Sequence, residues 1–370
     1  MKDRLKLLLL ALMALGLLFG FIHARAGSGP LNFERLHVFL FNLCAGGFLT
    51  IYFSEGRAVT ARSALFLAMA AVFALSASLE VYSVAITAAL LLALIVERVR
   101  TRRFPLFPVD FFRSTVSVSD KFHHAALVCL SLGLILSAAM MIIKVYARLP
   151  LPPKMGLDIF FLGFSFPVSL ITMSVMFSFM KSPVSRATRF FHGLSFWVVN
   201  AGVIVFFIFI LAEWSIAQVI ISIILSAAVV LIYVLFIRGA HDLQQKTFLV
   251  SGMALLMMTA VTGVGYIVAR HLEDPGTARA VSGFVLALHG YVSLFGWNQV
   301  GLFVIVRFDD FPLRLNSALF IALHWATVAV LAPLGDLYLP AGVAATVLYG
   351  VILWMAFFTR GRADGGTGGR

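Results

Sequence analysis

Apolar runs of about 17–25 residues, bounded by charges or turn residues, recur along the whole chain. A run of that length is what an α-helix needs to cross a hydrocarbon layer roughly 30 Å thick. Twelve such spans are legible, at about 7–22, 36–54, 63–79, 81–97, 124–145, 157–180, 190–212, 214–237, 247–269, 280–306, 315–333 and 339–358. A backbone in lipid must satisfy its polar groups internally, so separate apolar runs become helices. Composition agrees: 61% hydrophobic and 12% charged residues exclude an ordinary soluble domain, and 36 Phe exclude disorder. The expected fold is all-α, a polytopic membrane helical bundle of about twelve transmembrane helices occupying 1–360 as a single body. The bilayer is its first partner. The Gly- and Arg-rich tail 361–370 is expected to be disordered.

A net charge of +12 would suggest nucleic acid in a soluble chain. Here its placement gives another reason. With the N-terminus in the cytoplasm, 21 of the 28 Lys and Arg fall in inside segments and 7 outside. The 16 acids divide 9 to 7, so the bias is cationic, as insertion machinery reads it. Both termini are therefore expected to be cytoplasmic, and nucleic acid is not an expected partner. The seams at Glu80 and Glu213 are short, which predicts two tight helical hairpins. Segment 98–122 is expected to be a cytoplasmic interfacial loop, with Phe104, Phe107, Phe111 and Phe112 dipping into the interface. Lys2, Arg4 and Lys6 before the first run, with Ala24-Arg25-Ala26 after it, also resemble a signal peptide; the charge count favours a retained first helix.

Two cysteines, Cys44 and Cys129, lie in apolar runs and form no disulfide framework or zinc pattern. No Asp or Glu falls near the middle of a span. That argues against a proton-coupled transporter built on an intramembrane acid, and against a carboxylate-bound cation. Histidine remains. His23, His241 and His271 fall in loops or helix margins, and His123, His124 and His192 open spans and read as interface residues. His37, His289 and His324 lie within spans, where an imidazole is either an interhelical hydrogen bond or a ligand for metal or haem iron. At about 1.5 Å per residue, His289 lies roughly 6 Å outward of the midplane, His324 near it and His37 roughly 13 Å outward. Ser282, His289, Ser293 and Gly296 share one small polar helix face, as do Ser317, His324 and Thr327. A faint internal echo joins Leu36-His37…Ser63-Ala-Leu-Phe-Leu-Ala68 to Leu288-His289…Ser317-Ala-Leu-Phe-Ile-Ala322.

At these residues the chain resembles a known superfamily. Leu288-His289-Gly-Tyr291-Val-Ser-Leu-Phe-Gly296-Trp297 is similar to the His-x-His…Gly-Trp helices of haem–copper oxidase subunit I and its divergent relatives. Arg35-Leu-His37-Val-Phe-Leu-Phe…Gly46-Gly47-Phe-Leu-Thr50 resembles the His-containing helix of the twelve-span haem–copper proteins linked to nitric-oxide tolerance. Together the two stretches cover about forty residues. The resemblance implies a bacterial cytoplasmic membrane protein with a b-type haem and His37 and His289 as candidate ligands; His324, by its mid-span position, is the third candidate. It departs from the family at His289-Gly-Tyr291, where a second His is missing, and in lacking the His-Pro-Glu-Val-Tyr segment and a suitably placed His-His pair. Copper and oxygen reduction are therefore not expected. The resemblance implies a degenerate relative holding one haem, or one that has lost its metals and kept the scaffold.

Three functions follow as expectations. One is a haem protein for electron transfer or for binding a diatomic gas (NO or O2), with a redox partner. Another is a cofactor-free transporter whose cavity is lined by Asn42, Asn200, Asn298 and Gln299. The last is a structural subunit of a membrane complex.

Overall fold

The computed structural model describes residues 1–26, 31–150, 155–183, 185–241 and 243–361. They group into two compact units, 1–174 and 175–370. In the first, α1 (Asp3–Ala26), α2 (Phe33–Ser54), α3 (Ala61–Ser78), α4 (Tyr82–Arg103) and α5 (Val118–Ala147) are followed by α6 (Leu157–Leu162) and α7 (Ser165–Ser178), whose end carries the chain into the second. The second unit continues with α8 (Arg186–Leu211), α9 (Ser215–Gly239), α10 (Lys246–Ala269), α11 (Pro275–Val306), α12 (Ala318–Leu337) and α13 (Leu339–Phe358). No strand occurs among the described residues apart from one isolated bridge, Met180 to Ala240. Among the described residues, eleven helices are long and apolar enough to cross a membrane. This is a polytopic helical membrane architecture. The expected tail, from Arg362 onward, lies outside the described residues.

Local sequence explains where helices begin and turn. In α1, Leu9, Met13, Leu17 and Phe21 recur every four residues and all are buried, a single stripe facing the unit's core. Thr60 opens α3 with a reciprocal capping box to Ser63. Ser117 caps α5, Asp274 caps α11 ahead of Pro275, and Ser317 caps α12. The two short seams close as expected. Glu80 and Glu213 adopt left-handed φ of 59° and 58°. The next amides, Val81 and Trp214, donate back to Ser76 and Phe209 at 2.8 and 3.1 Å, the same C-terminal motif twice.

Three features differ from the sequence expectation. The span expected over 157–180 is divided between α6 and α7, because the chain turns at Gly163 and Phe164. The connection expected over 98–122 narrows to 104–117: α4 runs on to Arg103, where arginines near the last carbonyls suit the helix dipole, and α5 starts at its Ser117 cap. Within that connection Phe104 is buried, while Phe107 and Phe112 are exposed.

The third difference is helical register. Among the described residues, four stretches wind as π-helix: Phe39–Gly47 in α2, Ile142–Ala147 in α5, Val292–Asn298 in α11 and Ala326–Leu331 in α12. Such turns are rare and cluster at functional sites. Three of the four begin two or three residues after His37, His289 and His324.

Candidate functional site

In the first unit, His37 lies half-buried against α1. Its Nδ1 is 2.6 Å from the Gly16 carbonyl oxygen, which can only accept, so Nδ1 carries the proton. One turn further along α1, Gly20 leaves room for the ring: a Cβ there would sit 2.9 Å from His37 Nδ1. The flanking Arg35 is fully buried and ties the entrance of α2 to its neighbours. Its Nε donates to Asp158 at 2.9 Å, and its Nη1 to the Ala77 carbonyl at 3.0 Å and to Glu80 and Tyr82 at 3.3 Å. This network fixes the helix turn that carries His37.

The second unit repeats the arrangement. His289 on α11 is half-buried against α10, and its Nδ1 donates to the Thr259 carbonyl at 3.0 Å. One turn along α10, Gly263 faces the ring, with a Cβ there falling 3.3 Å from His289 Cε1. In both units, then, an imidazole gives its Nδ1 proton to a carbonyl on the preceding helix, beside a glycine four residues further on. Of the small face expected around His289, Gly296 also meets α10, packing on Leu255. Tyr291, half a turn on, donates to Asp336 at 2.6 Å. The sequence echo is less regular beyond this point. Ser63 is the third residue of α3 whereas Ser317 caps α12, so the two Ser-Ala-Leu-Phe segments occupy different helical positions.

His324 is placed differently. It is fully buried, and its Nε2 donates to the Phe295 carbonyl at 2.8 Å, inside the π-helical stretch of α11. A π-turn leaves carbonyls without their usual helical donors, and His324 supplies one. Its Nδ1 has no hydrogen-bond partner. Of the polar residues expected to line a cavity, Asn42 is buried with both amide atoms unpartnered. Asn200 donates to its own helix at Phe196, and Gln299 accepts from Tyr349 at 2.5 Å. Asn298 is buried at the end of the π-stretch.

His23, His241 and His271 are exposed, as expected. The helix-opening histidines, read from the sequence as interface residues, are covered by protein. His123, His124 and His192 are buried. His123 Nε2 is 2.6 Å from Ser54 Oγ, and His192 meets the edge of Phe177. His124 accepts at Nε2 from Arg100 Nη1 at 3.0 Å, and its ring lies flat on Phe104, 4.7 Å between centroids and 6° between planes. Arg100 also pairs with Glu97 and donates to the Pro105 carbonyl at 2.9 Å. This cluster has a signal in the sequence: Leu92, Val96, Arg100 and Phe104 fall at intervals of four, so the charge lies on the buried stripe. Among the described residues, no three His, Cys, Asp or Glu side chains converge to hold a metal ion.

No protein-family model, curated protein or solved structure matches this chain.

Proposed function

We propose that this chain is an integral membrane haem protein, a divergent relative of the haem–copper oxidase-like superfamily without a complete copper centre. It serves electron transfer or the binding of a diatomic gas in a bacterial cytoplasmic membrane. The supporting observation is the shared tether of His37 and His289. A ligating imidazole commonly donates its second ring N–H to a backbone carbonyl, which fixes the tautomer and raises the basicity of the other nitrogen. Both histidines make that bond through Nδ1, the state in which Nε2 carries the lone pair an iron would take. A glycine beside each ring keeps the helix approach close. His324 instead donates through Nε2 to Phe295, so it lacks the Nδ1 tether that the other two share and ranks behind them as a ligand. A bound b-type haem would supply a one-electron couple or an open position for a gas.

The test is an optical spectrum of the purified protein with haem extraction. A Soret band that shifts on reduction is expected, and His289→Ala and His37→Ala should each lower haem content in protein that still migrates as one species in detergent. His23→Ala and His271→Ala, at exposed positions, should not. Colourless wild-type protein would end this reading. The alternative of a cofactor-free transporter draws on Asn42, whose buried amide has neither atom partnered and would suit a hydrated path. Colourless protein that changes solute flux in liposomes would select it. Colourless, inactive protein co-purifying with other subunits would select the structural role.

A further inference from the structure

The corner between α4 and α5 carries a second feature, independent of the histidines. Its cations are unevenly compensated. Arg100 pairs with Glu97, Arg103 with Asp120 and Arg113 with Asp110. Arg98 and Arg102 are exposed, and neither has a carboxylate within 4.0 Å among the described residues. They stand four residues apart on α4, one above the other on the same face, where like charges repel. An anion placed between them removes that repulsion.

The surroundings say which anion. The pair sits at the polar end of a helix long and apolar enough to cross a membrane, the level at which arginines of a spanning helix meet lipid headgroups. The chain leaving α4 is clamped from below by the Arg100 bond to Pro105 and the Phe104–His124 stack. So held, it presents Leu106, Phe107 and Phe112 outward, 63%, 71% and 78% exposed. A soluble anion would have no use for those apolar side chains. A phospholipid offers a phosphate for the guanidinium fork and acyl chains for the phenyl rings in one molecule.

We propose that this corner binds anionic phospholipid, with Arg98 and Arg102 sharing the headgroup phosphate and Leu106, Phe107 and Phe112 lying among the acyl chains. Each arginine near an anionic surface contributes about a fivefold gain in affinity, so removing both should cost roughly 30-fold. The contribution falls in high salt.

The experiment compares retention of phosphatidylglycerol and phosphatidylcholine by native mass spectrometry. The proteins are wild type, Arg98→Gln/Arg102→Gln and, as a control at another exposed arginine, Arg279→Gln. Wild type and the control should retain phosphatidylglycerol selectively, and the double variant should lose the preference. Arg98→Lys/Arg102→Lys keeps the charge without the fork and should fall between them, which preserves the test should the glutamine variant fold poorly. Equal retention of both lipids by wild type, or full selectivity in the double variant, overturns the proposal. So does displacement of the lipid by millimolar inorganic phosphate, which would mark a free-phosphate site. An acidic peptide that displaces the lipid through the same arginines would equally overturn it, in favour of a protein partner.

Discussion

The tether between helices is most directly probed by giving its glycines a side chain. In Gly20→Ala the new methyl would sit 2.9 Å from His37 Nδ1 and 3.0 Å from Cε1, about half an ångström inside ordinary contact. The 2.6 Å bond to the Gly16 carbonyl holds the same ring nitrogen against the same helix, so the ring cannot retreat from the methyl without lengthening that bond. Two costs add: overpacking, typically about 1–3 kcal/mol, and loss of a net hydrogen bond, about 1 kcal/mol. An interior Gly→Ala change returns up to ~1 kcal/mol of helix propensity, leaving a net loss of about 1–3 kcal/mol. Gly263→Ala is the internal control. Its methyl would fall 3.3 Å from His289 Cε1, a crowding that a few tenths of an ångström relieves, so the helix gain should nearly offset it. Unfolding in mixed micelles by SDS titration measures both variants against wild type. If Gly20→Ala is as stable as wild type, or less harmful than Gly263→Ala, the described packing of α1 on His37 is wrong.

Two further expectations concern the ends of α11. Arg307 is buried and donates to the Ala356, Phe357 and Thr359 carbonyls at 2.9–3.2 Å and to Asp310 at 3.0 Å, closing the C-terminus of α13. Arg307→Ala leaves the buried carbonyls without their donor, at about 1–3 kcal/mol, while the half-exposed Asp310 is taken up by water. It should also expose the chain after Phe358 to trypsin; unchanged stability and cleavage would refute the latch. At the other end, the Thr277 amide holds the exposed Asp274 carboxyl below its ordinary pKa. A depressed carboxylate contributes stability that is full above the unfolded value, about pH 4, and fades as pH falls through the folded value. Protection of the first-turn amides of α11, taken relative to their intrinsic exchange rates, should therefore fall only below about pH 4, and Asp274→Asn should flatten the profile.

The helical membrane architecture was legible because length and apolarity are local properties: a run either suffices to cross lipid or does not. Glu80 and Glu213 marked their turns for the same reason, as isolated charges between apolar runs. The π-stretches were not legible. Phe39–Gly47 is an apolar sequence with nothing to distinguish it from regular helix, and the extra residue per turn is set by which neighbours pack on it. His124 was misread because a histidine at a helix start is solvated unless something covers it, and what covers it is Phe104, twenty residues earlier. The candidate ligands were found by residue type and depth. Their shared tether could not be, since a carbonyl on the preceding helix is the same in every sequence.

The two hairpins at Glu80 and Glu213 also constrain how the chain enters a membrane. Each linker of three residues reaches at most about 10 Å, a third of the hydrocarbon thickness. Neither helix of a pair can wait on one face while the other crosses. α3 with α4, and α8 with α9, must partition together, each pair as one re-entrant insertion step. Shifting positive charge from 98–103 to the linker at Leu79–Val81 should then invert both members of the pair or neither, never one.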